Sequence, residues 1–460
     1  MMNWINCISA KRTGYDYPSS PSIRSDYQRD YDRLIFSSAF RRLQNKTQVF
    51  PLPGSSTFVH NRLTHSLEVA SVGRSIGSIL GEYISELLDD DAAKYFYKHD
   101  LKAVIGAGCL AHDVGNPAFG HSGEKAISNY FINNQNTIIG NSTLISYFND
   151  SQWADLIDFE GNANALRVLT HHFTGKMPGG LSLTYSTLAS ILKYPCESLA
   201  KTKAKKHRKK YGFFQSEKEI FSKIVKDTNM YFEQDNPLSY YRHPFVYMVE
   251  AADDICYRII DMEDAHRLKI LSKQEVEHAF LSVIQEVDRP EIDMDKIKQT
   301  LIKLHDDNES ITYLRAKCIN AIVLESADVF KLNAEKIITG KYESTLMDDV
   351  EKKCPSLKMI ESLSINKIYD HPSVIKVELA GYKVMSGLFD IFVRAILNEE
   401  KSIIEKKSLK LIPNQFIATA GDTPYNNVMS VIDFISGMTD DYAVQMYRNI
   451  MGIDIANHNI

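Results

Sequence analysis

Apolar residues in this chain recur every three or four positions, segment after segment, and that period suits helices and little else. Leu63, Leu67, Ala70, Ile76, Leu80, Ile84 and Leu87 form one such stripe between Asn61 and Leu88, and Leu101, Val104, Ile105, Gly108 and Ala111 form another. Each residue advances about 100° around an α-helix, so positions three and four apart share a face and can be buried together. The same spacing marks Lys296 to Leu304, Ala316 to Leu332 and Val374 to Leu397, with no internal repeat and no strand-rich region. Punctuating residues are few, 22 Gly and 14 Pro in 460 positions. An all-α fold of long helices is therefore predicted, and an apolar content of 44% is enough to give it a substantial core.

Charge and cysteine usage narrow the function classes. A net charge of −5 gives no global basic field to draw nucleic acid or membrane, so any such contact must be local. Six scattered cysteines (Cys7, Cys109, Cys196, Cys256, Cys318, Cys354) form no C-x-x-C pair, which argues against a zinc ribbon or a disulfide framework. The start, MMNWINCISAKR, lacks the pattern of a secretory signal, and no apolar run approaches the ~20 residues that span a bilayer. A cytoplasmic protein with reduced thiols and no membrane contact is expected.

Chemistry concentrates in Ala111-His112-Asp113-Val114-Gly115-Asn116-Pro117-Ala118-Phe119-Gly120-His121-Ser122-Gly123-Glu124. The stripe ending at Ala111 places His112 and Asp113 at a helix terminus, with Gly115 as the stop signal. Adjacent side chains diverge inside a regular helix, and a terminus lets them converge. A His-Asp pair alone is weak evidence of a metal site; the Gly- and Pro-rich sequel carrying His121 and Glu124 strengthens it. Further on, Pro244 opens a helix whose one face is apolar, while Glu250, Asp253, Asp254, Tyr257, Asp261 and Asp264 fall within an arc of roughly 100° on the other. That acidic face lacks interleaved lysines. A solvated surface would give the same pattern.

Other segments give less. Residues 1–23 read as a polar arm, and Arg24 to Lys46 as a helix with an apolar and a basic side, suited either to solvent or to phosphate contact. Pro51 to His60 is a loop, and residues 130–158 are rich in turn formers. Glu160-Gly161-Asn162 opens a helix; the adjacent His171 and His172 have no neighbouring carboxylate and read as structural. Leu181 to Leu192 is an apolar helix ending in Lys193-Tyr194-Pro195. The run KTKAKKHRKK (201–210) is the one strongly basic block, either a mobile solvated loop or a hook for nucleotide phosphates or single-stranded nucleic acid, with Tyr211, Phe213 and Phe214 as stacking surfaces or as core.

Seven stretches in order, RRLQNKTQVF (41–50), HNRLTHSLEV (60–69), AHDVGNPAFGHSGE (111–124), FEGNANALR (159–167), EAADDICY (250–257), IYDHPSVIKVELAGY (368–382) and DFISGMTDDYA (433–443), resemble the HD-domain phosphohydrolases, and among them the deoxyguanosine triphosphate triphosphohydrolases. The resemblance implies an HD-domain helical fold with additional C-terminal helices: one unit over 1–460, a metal-site core at about 60–265, and a part at about 272–460 completing the nucleoside pocket and subunit contacts. It implies His65, His112, Asp113 and Asp253 as metal ligands, and Arg62, Lys193 and Tyr194 as phosphate contacts. Gln48 is expected at the deoxyribose 3′-hydroxyl, Tyr257 beside the sugar, and Asp261 and Tyr369 among the remaining substrate contacts. Related enzymes assemble into hexamers or tetramers, so a homo-oligomer is expected, with single-stranded DNA or a dNTP as a candidate effector.

Two imidazoles and two carboxylates on a six-coordinate ion leave about two open positions, and such mixed ligation suits one Mn²⁺ or Mg²⁺ ion, or Co²⁺ or Fe²⁺, rather than structural zinc. Expelling a nucleoside 5′-alkoxide needs a proton donor, a task for which His121, oriented by Glu124, is suitably typed. The reaction implied by the resemblance is water attack at the α-phosphorus of a dNTP, dGTP above all, releasing deoxynucleoside and intact triphosphate. Two alternatives stay open: another HD phosphohydrolase, such as a 5′-nucleotidase or phosphodiesterase, and a non-catalytic nucleic-acid-binding protein using the 201–210 block.

Overall fold

The computed structural model describes residues 2–14, 24–50, 59–417 and 421–453, so part of the expected arm and most of the loop at 51–60 lie outside the described residues. The fold is all-α, as predicted. Among the described residues its strands are two small antiparallel pairs, Ile138–Ile139 with Ser142–Thr143 and Phe232–Gln234 with Ser239–Tyr240. The longest helices are Arg62–Glu86, Pro244–Arg267, Asp307–Ile338 and Pro372–Leu397.

Local chemistry explains where these helices start and how closely they pack. Asn61 accepts from the Thr64 amide while the Thr64 hydroxyl accepts from the Asn61 amide, each at 3.0 Å, a reciprocal cap that opens the His65 helix. Gly73, Gly77 and Gly81 then lie on its face toward residues 97–109, where added Cβ atoms would come within 2.4 Å of Cys109 Sγ, 3.0 Å of Lys102 Cα and 2.2 Å of the Tyr97 carbonyl oxygen. This glycine stripe lets the His65 helix approach the Leu101–Ala111 helix almost backbone to backbone.

Two expectations need correcting, and one family motif is divided between helices. The segment 24–46 is not one helix but two, Asp26–Ile35 and Ser38–Arg42, because Ser37 accepts from the Phe40 amide at 3.1 Å and restarts the helical ladder. The DFISGMTDDYA stretch likewise spans a break between Pro424–Ser436 and Asp440–Ile450, with Thr439 capping the second helix. Gly115 is not a left-handed stop; the helix ends at Ala111, and a Cβ at Gly115 would lie 2.1 Å from the Ala165 amide nitrogen. The glycine is required by close approach.

Two apolar clusters organise the packing, and neither is a continuous stretch of chain. One joins the His65 helix to Leu101–Ala111, Pro244–Arg267 and Asp307–Ile338. The other joins Gly120–Asn134 to Pro372–Leu397 and Pro424–Ser436, with Phe131, Phe389 and Phe392 fully buried at its centre. Burying a side chain of that kind contributes about 1.5–3 kcal/mol. The turn 112–119 runs from the first cluster, at Val114, to the second, at Ala118.

Candidate active site

His65 and Asp253 come from two long helices of the first cluster, and His112 from the turn that ends a third. His65 Nε2 lies 3.1 Å from Asp253 Oδ1, and His112 Nε2 lies 3.4 Å from the same oxygen. One ligand atom from each of the three falls within 4.8 Å of the others, the arrangement a single cation requires. His112 Nδ1 is 2.6 Å from the Cys109 carbonyl oxygen, to which it donates, so Nε2 is turned toward the group, where it is buried without a hydrogen-bond partner. Burial acts against the charged forms of both His112 and Asp253. Nevertheless the Asp113 and Asp253 charges raise the His112 imidazole to about 9, and the two histidines hold Asp253 well below the usual carboxylate range. An orphaned ring nitrogen beside two carboxylates fits a divalent ion.

Asp113 stands next to this group rather than in it. Its Oδ1 is 3.6 Å from His112 Nε2, but Arg62 donates to its Oδ2 at 2.8 Å and the Asn116 amide holds its Oδ1. Arg62, expected at phosphate, is thus engaged by a carboxylate while it also lines the cleft.

The cleft has a volume of about 650 Å³. At one end His121 Nδ1 pairs with Glu124 Oε2 at 2.8 Å, while Glu124 Oε1 accepts from the Gly161 amide at 2.8 Å. The His121 side chain is 76% exposed and Glu124 only 10%, a fixed carboxylate steering a ring that faces solvent and the cleft. Burial would raise the Glu124 carboxyl, yet the hydrogen bond from His121 and the Lys210 charge outweigh it and keep the group below its usual range. Phe119, just before, sits in the left-handed region at φ 61°, and its amide donates to Asp440 Oδ1 at 2.9 Å. The other oxygen of Asp440 accepts from the Thr47 amide at 2.8 Å. A C-terminal carboxylate therefore ties the Gln48 segment to the His121 turn, a role no local sequence signal announces.

Most expected substrate contacts line this cleft: Gln48, Arg62, Lys193, Tyr194, Tyr257 and Tyr369. Gln48 keeps a buried Oε1 without a donor. Lys193 Nζ is 3.3 Å from Glu250, which also takes a 2.9 Å bond from Arg242, so its ammonium is charged and fixed. The rings of Tyr257 and Tyr369 stack at 5.9 Å with an interplanar angle of 17°. Asp261 is absent from the cleft wall; it lies behind Tyr369, accepting from its hydroxyl at 2.9 Å, and positions that ring. The other acids of its helix are likewise paired or buried: Asp264 accepts from the His60 amide at 2.8 Å, and Asp254 lines the cleft with its carboxyl pushed up to about 7, by burial first.

The basic run keeps Lys201, Lys203, Lys206 and Lys209 exposed, yet much of it is tied by side-chain bonds. Lys205 and His207 pair with Glu233, Lys206 with Asp348, and Arg208 donates to the Ala200 carbonyl oxygen at 2.7 Å. Tyr211, Phe213 and Phe214 are fully buried core. What the run presents to the site is its end: Lys209 and Lys210 line the cleft, and Lys210 bonds Glu160 at 2.8 Å. The lysine-rich composition was the only signal for these two residues. His171 and His172 lie outside the metal group, His171 beside Arg167 and Glu217, and His172 against the Lys176 carbonyl oxygen.

Comparison with known proteins agrees with this geometry. The HD domain matches residues 62–227, which hold His65, His112, Asp113, His121 and Glu124, and the Phosphohydrolase-associated domain matches residues 346–449. A deoxyguanosinetriphosphate triphosphohydrolase-like protein of Synechocystis sp. is 35% identical, the alignment covering 99% of this chain and 100% of the relative. One from Pseudomonas aeruginosa is 34% identical over 98% and 99% of the two chains, and the deoxyguanosinetriphosphate triphosphohydrolase of Salmonella typhimurium is 28% identical over 98% of each. With this cover from end to end and the His/Asp group at its centre, the chain belongs to the HD-domain phosphohydrolases, in the family of deoxyguanosinetriphosphate triphosphohydrolase-like proteins.

Proposed function

We propose that the protein is a divalent-metal-dependent triphosphohydrolase that converts a deoxynucleoside triphosphate, dGTP first among them, into deoxynucleoside and inorganic triphosphate. The observation that carries this reading is that His112 and Asp253, grouped with His65 within reach of one cation, line the same cleft as the His121–Glu124 pair. His65, His112 and Asp253, with Asp113 beside them, would hold a Mn²⁺ or Mg²⁺ ion, which when bound supplies charge neutralisation at phosphoryl oxygen and a more acidic water. Lys193, Tyr194, Lys209 and Lys210 offer cationic and hydroxyl donors to the triphosphate. Gln48 Oε1, lacking a donor, would accept from the 3′-hydroxyl.

Water attack at the α-phosphorus breaks the bond to the 5′-oxygen, and that oxygen needs a proton to leave. His121 would donate it, with Glu124 bonded to its Nδ1 keeping the ring aimed. The name of the Salmonella relative supports guanine as the base. All six cysteines are free and buried, which suits the reducing cytoplasm in which we place the enzyme. The deciding experiment incubates the protein with each dNTP and with GTP, plus Mn²⁺ or Mg²⁺, and separates products by ion-pair chromatography. Inorganic triphosphate with deoxynucleoside is the expected pair; pyrophosphate or orthophosphate as the primary product would overturn the assignment.

A further inference from the structure

Asp440 opens the helix Asp440–Ile450, where an acid in the first turn ordinarily serves its own helix. That helix has what it needs without it: Thr439 caps it, and the exposed Asp441 puts another carboxylate in its first turn. Asp440, 6% exposed, spends both oxygens elsewhere. Its Oδ2 accepts from the Thr47 amide at 2.8 Å and its Oδ1 from the Phe119 amide at 2.9 Å. One carboxylate thus joins the residue before Gln48 to the residue two before His121.

The two segments are joined a second time. Lys46, 3% exposed, donates to the Asn116 carbonyl oxygen at 2.6 Å and to that of Ser436 at 2.9 Å, so it grips the same turn and the end of the helix before Asp440. Phe119 stands in the left-handed region, a strained conformation for a residue with a Cβ that persists only where its surroundings fix it. Asp440 holds its amide, and its ring lies so close to Gly381 that a Cβ there would come within 2.4 Å of Phe119 Cγ. This fixing sets where the helix Gly120–Asn134 begins, and with it the place of His121.

We propose that Asp440 is a positioning residue: it sets the spacing between Gln48 and His121 so that a sugar held by its 3′-hydroxyl presents its 5′-oxygen to the acid, a role that rests on those proposed above for the two side chains. Both oxygens belong to one sugar. The distance between the group that holds one and the group that protonates the other is therefore dictated by the substrate, and a misplacement of about 1 Å can cost about 10²-fold in rate. Asp440 is not on the cleft wall, so it acts through the two segments and not on the nucleotide.

The test compares a dNTP with its 2′,3′-dideoxy counterpart, in wild type and in Asp440→Asn, with Mn²⁺ present. The carboxamide keeps the shape of the carboxylate but turns a donor toward one of the two amides. We expect kcat for the dNTP to fall about 10²-fold and kcat for the dideoxynucleotide to fall at least about tenfold less, because a sugar without its 3′ anchor can shift to meet a displaced acid. The Mn²⁺-induced rise in Tm should be unchanged, since the metal group is untouched. If Asp440→Asn does not fold, Lys46→Met, which cuts the parallel link, is expected to give the same inequality. Losses that are equal on the two substrates or larger on the dideoxynucleotide, or no loss on either, would overturn the proposal while leaving the release of triphosphate in place. A wild type that releases no triphosphate from any dNTP would overturn the proposed function, and the positioning role with it.

Discussion

His121 and Glu124 differ in exposure as their proposed tasks require, the acid facing the leaving oxygen and its partner locked behind it. His121 is outside the His65–His112–Asp253 group, so its removal should leave metal binding intact. We expect His121→Ala to lose rate by the ~10²–10⁴-fold typical of general acid–base catalysis, with metal content unchanged by elemental analysis. Loss of metal along with rate would make His121 a ligand instead. Sugar selection should reside in Tyr257, with Gln48 holding the 3′-hydroxyl that both sugars share. A ring against C2′ accepts hydrogen but crowds a 2′-hydroxyl and leaves it unpaired, at a cost of roughly 1–3 kcal/mol. Tyr257→Ala should therefore narrow the ratio of kcat/KM for dGTP over GTP by about one to two orders of magnitude, mainly by admitting the ribonucleotide. Gln48→Ala should weaken both together, because both carry the 3′-hydroxyl; an unaltered ratio in the Tyr257 variant would place discrimination elsewhere in the pocket.

Helices far apart in sequence are tied to one another by buried charge. Arg167, in the helix Gly161–Thr170, gives two 2.7 Å bonds to Asp433 in the helix Pro424–Ser436 and one of 2.7 Å to Glu217, all three side chains nearly inaccessible. Removing the cation strands two carboxylates in the core, which typically costs about 3–5 kcal/mol, so Arg167→Met should lower the denaturation midpoint by that equivalent in a urea titration. A change under about 1 kcal/mol would mean that water reaches the carboxylates. Period and caps made the helices themselves legible: Asn61 and Pro244 mark the starts of the two long helices that carry His65 and Asp253. The metal and acid residues were legible through motifs, because their chemistry constrains residue type. What sequence reading missed depends on pairing at a distance. Asp440 has no signature for holding Thr47 and Phe119, the partners of Lys205 and Lys206 are Glu233 and Asp348, and Gly73, Gly77 and Gly81 read only as interruptions until the helix they face is known.

The candidate metal group gathers residues 65, 112 and 253 from two helices and the end of a third, so only the folded chain brings these atoms together. A cation that binds the native state and not the unfolded chain stabilises it by RT ln(1 + [L]/Kd), about 2.7 kcal/mol at a hundredfold excess over Kd. At roughly 2 cal/mol/K of unfolding entropy per residue, a chain of this length melting as one unit has an entropy near 1 kcal/mol/K, which converts that free energy to a rise in Tm of about 3 °C. We expect Mn²⁺ added after chelation to raise Tm by this amount in differential scanning calorimetry. His112→Ala should abolish the shift, because it deletes the one unpartnered ring nitrogen aimed at the group. His121→Ala should preserve it. The size of the shift carries further information: a rise several times larger would show that the three ligand-bearing helices melt as a smaller cooperative unit, apart from the cluster around Phe131, Phe389 and Phe392. A shift equal in wild type and His112→Ala would place the cation elsewhere and sink the ligand assignment itself.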